Sequence, residues 1–188
     1  MFLRKNSQKG SSLVEVLGVI SVISMVGIGV LKVVTSSYDV LKQSLASSDI
    51  KDLQKIISAN YTFSGKYEID ADFNKKICET DKTAPNHMCL KSGSSYSLKH
   101  RLNGGVVVAK NGEKGYTIVF DDLNPKACIT LSQINWLERR KTNIFQIDIN
   151  NVPVAYFPKK NGKSFPVDSK LSIENCKNDS NFIKWYFY

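Results

Sequence analysis

Residues 9–31 read KGSSLVEVLGVISVISMVGIGVL. From Leu13 to Leu31 the only charged side chain is Glu15. As a helix these roughly 19 residues rise about 28 Å, close to the ~30 Å hydrocarbon core of a bilayer. Arg4, Lys5 and Lys9 precede the run, and a long cysteine-bearing region follows it. The positive-inside rule therefore puts the N-terminus in the cytoplasm and the remainder outside. A secretory signal would carry its small-residue cleavage site after the apolar run. Here the run ends in Gly27-Ile28-Gly29-Val30-Leu31-Lys32 with no A-x-A pattern. The small-residue junction, Lys9-Gly10-Ser11, comes before it instead. Glu15 is the anomaly, because a carboxylate in hydrocarbon costs several kcal/mol unless it finds a partner.

The combination of a short basic leader, MFLRKNSQKG, a terminal Gly10, a glutamate five positions later and an uninterrupted apolar run resembles the class III signal of type IV pilins and their pseudopilin relatives. The resemblance covers about 25 residues. It implies cleavage between Gly10 and Ser11 by a prepilin peptidase and methylation of the new N-terminus at Ser11. It also implies an assembly role for Glu15, whose carboxylate would neutralise the free amine of a neighbouring subunit. Desolvation offsets much of that attraction, so the pair serves register more than raw stability. The plainer alternative is an uncleaved signal anchor with Glu15 reaching the headgroups.

Apolar periodicity continues beyond the span. Val34, Tyr38, Leu41 and Leu45 are followed by Leu53, Ile56, Ile57 and Tyr61, at helical spacing. Asp39, Lys42, Asp49, Lys51, Asp52 and Lys55 suit a wet face. No proline occurs before Pro85. One helix is expected from about Ser12 to about Asn60, roughly 70 Å long. Gly18, Gly27 and Gly29 suit close packing between helices in the membrane-spanning part. The domain reading is a leader over 1–10, a helix over 11–60 with its polymerisation segment at 12–33, and a head over 61–188.

The head reads as α+β. Residues 61–82 look irregular, and Tyr96–His100 alternates. Gly105–Lys110 and Gly115–Phe120 flank Asn111-Gly112-Glu113-Lys114, a hairpin signal. Asn124-Pro125 opens a helix, with Asn as cap and Pro in the first turn, expected to reach about Arg140. Phe145–Ile149, Val152–Phe157 and Phe182–Tyr188 read as further strands. The resemblance implies the same architecture, the pilin fold: a long N-terminal helix packed on an antiparallel sheet.

Four cysteines allow three full pairings, of which Cys78–Cys89 with Cys128–Cys176 is favoured. An oxidising compartment suits them; four buried free thiols are the alternative. The larger, type IVb pilins carry a disulfide bracketing the C-terminal region, and Cys128 with Cys176 matches that bracket. Two features depart from the subfamilies. The leader is shorter than usual for type IVb, and Ser11 stands where type IVa pilins usually have phenylalanine.

No enzyme signature is present: no G-x-S-x-G, no HExxH, no Walker loop, and no call for a metal or cofactor. The net charge is +9, a third of it from the three leader cations. Lys75-Lys76, Lys99-His100-Arg101, Arg139-Arg140-Lys141 and Lys159-Lys160 with Lys163 are basic clusters. Lys99, Arg101, Arg139, Arg140 and Lys141 form a candidate DNA or anion patch; solvated surface is the plainer reading. Trp136, Trp185, Tyr186 and Tyr188 offer stacking faces, against the plainer reading of core.

The resemblance points to a structural, non-enzymatic subunit that polymerises with itself into a surface fibre for adhesion, conjugation or DNA uptake. The alternatives are a minor pilin acting as DNA receptor or adhesin, and a type II secretion pseudopilin. The partners it implies are further copies of the chain, the prepilin peptidase and an inner-membrane assembly platform, with minor pilins, DNA or a host surface beyond them. The implied location is the bacterial inner membrane, with the head periplasmic, and then the extracellular pilus.

Overall fold

A computed structural model describes residues 40–61, 66–67, 69–137 and 143–188. The chain divides into two compact units, Met1–Leu41 and Lys42–Tyr188, and the second holds nearly all of the described residues. The expected span at 12–33 lies outside them. Among the described residues no helix is long and apolar enough to cross a membrane.

Helix α1 is described over residues 40–61. Its buried stripe is Ala46, Ile50, Leu53 and Ile57, at spacings of four, three and four residues. Each large side chain on that stripe contributes roughly 1.5–3 kcal/mol of burial. The stripe differs from the expected one in a telling place. Asp49, assigned to the wet face from sequence, is fully buried. It sits three residues after Ala46 and four before Leu53, so helical geometry puts it on the core face.

Within the stretch expected to be irregular, residues 69–82 are more ordered than that. A helical turn, α2 (Phe73–Lys75), continues into a wider turn over Lys76–Thr80, and Phe73 and Ile77 point into the core. A 3-10 turn at Asn86–Met88 then leads into the sheet.

Seven strands form one antiparallel sheet: β1 (Cys89–Ser92), β2 (Ser95–Lys99), β3 (Gly105–Lys110), β4 (Tyr116–Leu123), β5 (Ile144–Ile149), β6 (Val152–Tyr156) and β7 (Asn181–Phe187). Their order is β1-β2-β3-β4-β7-β5-β6, so the last strand of the chain lies between β4 and β5. β1 was not foreseen. It pairs with β2 across a two-residue turn whose Gly93 takes the left-handed φ of 62°. The Asn111–Lys114 hairpin joins β3 to β4, with Gly112 at φ 69°. β7 alternates cleanly: Ile183, Trp185 and Phe187 face the core, whereas Phe182, Lys184 and Tyr186 face the other way.

Helix α3 (Pro125–Ser132) begins as expected, with the Asn124 side chain accepting from Ala127 N at 2.8 Å. It stops at Ser132, well short of Arg140. The chain turns there and Trp136 packs edge-on against Trp185, ring centroids 5.8 Å apart. The helical spacing of Ile134 and Leu137 was therefore overridden by burial of one large ring. Helix α4 (Ser169–Asn175) was also unforeseen. Asp168 caps it, accepting from Lys170 N at 2.9 Å.

Two disulfides fasten this frame. Cys78–Cys89 ties the end of the helical turn to β1, and Cys128–Cys176 ties α3 to the end of α4. Both Cys128 and Cys176 are fully buried. Beside them Ser132 Oγ and Ser172 Oγ share a hydrogen bond at 3.0 Å, a second, buried link between the same helices.

Candidate functional site

Gly10, Ser11 and Glu15 lie outside the described residues, as do Arg139, Arg140 and Lys141. Of the candidate anion patch, Lys99 and Arg101 are described, and both are half-buried.

Arg101 turns inward. Its Nε donates to Asp49 Oδ1 at 3.2 Å, and its main-chain N donates to Asp49 Oδ2 at 3.2 Å. His87 Nε2 completes the cluster at 2.8 Å from Asp49 Oδ1. A carboxylate can only accept, so Nε2 carries the hydrogen in this contact. Arg101 Nε lies 3.1 Å from the same His87 nitrogen. Two donors that close are tolerated because the carboxylate lies against both. The cluster joins three separate pieces of chain: α1, the loop closed by Cys78–Cys89, and the β2–β3 turn. Its signal in the sequence was the register of Asp49 on the apolar stripe of α1.

His100 is a different kind of basic residue from its neighbours. It is buried, and its ring stacks on Phe120 at 4.6 Å with an interplanar angle of 16°. Nε2 donates to the Asp121 carbonyl at 2.9 Å, while Nδ1 accepts from Leu102 N at 3.2 Å. The neutral ring thus satisfies both nitrogens. Burial pushes its pKa down, outweighing the opposing hydrogen bond to Asp121. The packing leaves no room at Gly104, where a Cβ would come within 2.2 Å of the Asp121 carbonyl oxygen.

The sheet face away from α1 carries the other organised polar group. Tyr186 OH donates to Asp148 Oδ2 at 2.7 Å, and Gln146 Nε2 donates to Asp148 Oδ1 at 2.7 Å. Desolvation, and then this hydrogen bond, push the Tyr186 phenol well above its usual value. Trp136 and Trp185, two of the four aromatic stacking candidates, are in the core. Tyr186 is half-buried and Tyr188 is 53% exposed. Among the described residues no group of three or more His, Cys, Asp or Glu side chains is placed to hold a metal ion.

A helix packed along one face of a seven-stranded antiparallel sheet, with its C-terminal region pinned by a disulfide, is the pilin fold. The structure is similar to the crystal structure of TcpA, a type IV pilin from the Vibrio cholerae El Tor biotype, with a TM-score of 0.51. The match covers 79% of this chain and 99% of that one at 11% identity, so the likeness is one of fold. No protein-family model and no curated protein sequence matches the chain.

Proposed function

We propose that this chain is a structural subunit of a type IV pilus. The observation that carries the reading is a head with the pilin fold placed after a sequence of the class III type. Neither part suffices alone. The fold is compatible with many roles, and the N-terminal pattern is shared by major pilins, minor pilins and pseudopilins.

In this reading the peptidase cuts between Gly10 and Ser11, Ser11 is N-methylated, and residues 12–33 hold the subunit in the inner membrane with its head in the periplasm. Glu15 of an incoming subunit meets the new amine of another at the base of the fibre. Burial of the apolar helices against one another then holds the polymer. The oxidising compartment this route passes through suits both disulfides. The Cys128–Cys176 bracket is the feature that favours the type IVb kind.

Intact-mass measurement on the protein purified from its membrane tests the reading. A chain beginning at N-methyl-Ser11 is the expected result. A chain retaining Met1 overturns it in favour of a plain signal anchor.

A further inference from the structure

We propose that Cys78–Cys89 is a thiol-exchange site for a dithiol oxidoreductase of the thioredoxin type, which opens it while Cys128–Cys176 stays closed, and that opening it releases His87 from Asp49 on α1. This concerns the head itself and does not depend on subunit assembly.

The two disulfides differ in access. Cys128 and Cys176 are 0% exposed. Cys78 and Cys89 are both half-buried. Exchange needs an attacking thiolate to reach a sulfur, so a bridge enclosed on all sides waits until the protein opens around it. Ile77 and Met88, which immediately precede the two half-buried cysteines, fill the core instead. Their burial leaves the following sulfurs at its rim. Between the cysteines, residues 79–83 are exposed. Lys82 there holds a left-handed φ of 50°, which costs a non-glycine residue free energy that opening relieves.

The loop is tied to α1 through its far half. Thr83 N and Ala84 N donate to the Ile77 carbonyl at 3.0 and 3.1 Å, and Ala84 and Met88 are buried. These contacts seat His87, whose Nε2 lies 2.8 Å from Asp49 Oδ1. Arg101 reaches the same carboxylate from the β2–β3 turn, outside the loop. Breaking Cys78–Cys89 lengthens the free chain that carries His87 and raises the entropy cost of holding it in place. It therefore acts on one side-chain partner of Asp49 and spares the other. The exchange itself balances. A thiolate of the dithiol attacks one sulfur of the bridge, forms a mixed disulfide and expels the other cysteine as a thiolate, which takes a proton from water. The second thiol of the reductant, as its thiolate, then attacks the mixed disulfide and displaces the remaining cysteine. Two electrons pass to the bridge, leaving two protein thiols and an oxidised dithiol.

The test uses the full chain, folded in detergent micelles, with dithiothreitol in one arm and reduced thioredoxin in the other. Samples are quenched with iodoacetamide over time, and peptide masses identify the alkylated cysteines. Cys78 and Cys89 should be alkylated about tenfold or more faster than Cys128 and Cys176 in both arms. Hydrogen exchange on the half-reduced protein should speed up at residues 84–88 and in the turn of α1 around Asp49, with β4 and β7 unchanged. His87→Ala, with both bridges intact, should raise exchange in that turn of α1 and leave little for reduction to add. Cys78→Ser combined with Cys89→Ser should reproduce the half-reduced pattern; the time course on the parent stands even where that variant fails to fold. Four results would each overturn the proposal: equal reaction rates at the two bridges; opening of Cys78–Cys89 only on global unfolding; opening by dithiothreitol but not by thioredoxin; or opening with no change in exchange at α1.

Discussion

Asp49 accepts hydrogen bonds from both the main-chain N and the Nε of Arg101, a residue 52 positions further along the chain. The carboxylate is 0% exposed and the Arg101 side chain 34%. The pair fixes where α1 sits against the β2–β3 turn, and it takes Arg101 out of the set of surface cations.

Arg101→Ala should destabilise the protein by about 2–3 kcal/mol, because it leaves a buried carboxylate without its cation. The value sits at the lower end for buried pairs because the guanidinium is partly wet. Arg101→Lys should recover little, since a lysine cannot place a donor where Nε stands. The double variant Asp49→Leu/Arg101→Met should be more stable than Arg101→Ala. Denaturant unfolding at neutral pH measures all three, and a loss under about 0.5 kcal/mol for Arg101→Ala would contradict the structural role.

His100 makes stability depend on pH. Its folded pKa is lowered by burial, whereas in the unfolded chain it titrates near the ordinary value of about 6.5. As pH falls below about 6.5, the unfolded state takes the proton first, and stability is lost until the folded pKa is reached. The slope attributable to this one group is at most about 1.4 kcal/mol per pH unit. His100→Gln should flatten the difference between pH 7 and pH 5 relative to the parent. If the two profiles run parallel, the buried ring is not the source.

The two disulfides should differ in weight. Cys128–Cys176 closes a separation of 48 residues and Cys78–Cys89 one of 11, giving loop-entropy contributions of about 4 and about 3 kcal/mol. The Cys128→Ala/Cys176→Ala variant loses packing in the core as well. It should unfold at clearly lower denaturant than Cys78→Ala/Cys89→Ala; the reverse order would contradict this assignment.

On the proposed assembly route, Glu15→Ala should insert and be processed normally yet form few fibres, while Gly10→Glu should block processing. Sheared-pilus yield together with the mass of the membrane-bound subunit separates the two defects. Normal fibres from Glu15→Ala would remove the docking role.

Much of the frame was legible in local patterns. The alternation in Phe182–Tyr188 marks β7 and the side to which each ring points. Asn124-Pro125 marks the start of α3. The misses have local causes too. β1 is four residues long with a weak pattern, and α4 is a seven-residue helix whose main signal was the Asp168 cap. The end of α3 was misplaced because helical spacing persists in Ile134 and Leu137, although Trp136 leaves the helix for the core.

By itself the sequence determined the α+β class, the period of each main element and the signature at Gly10, Ser11 and Glu15. All of these reside in spacings of a few residues, which local backbone geometry converts directly into faces and turns. Only the tertiary structure decided that β7 lies between β4 and β5, that Arg101 turns inward to Asp49, and that Tyr186, Gln146 and Tyr156 share one row. Those relations join residues tens of positions apart. They are set by which surfaces bury best together, a property of the packed whole that no short window of sequence contains.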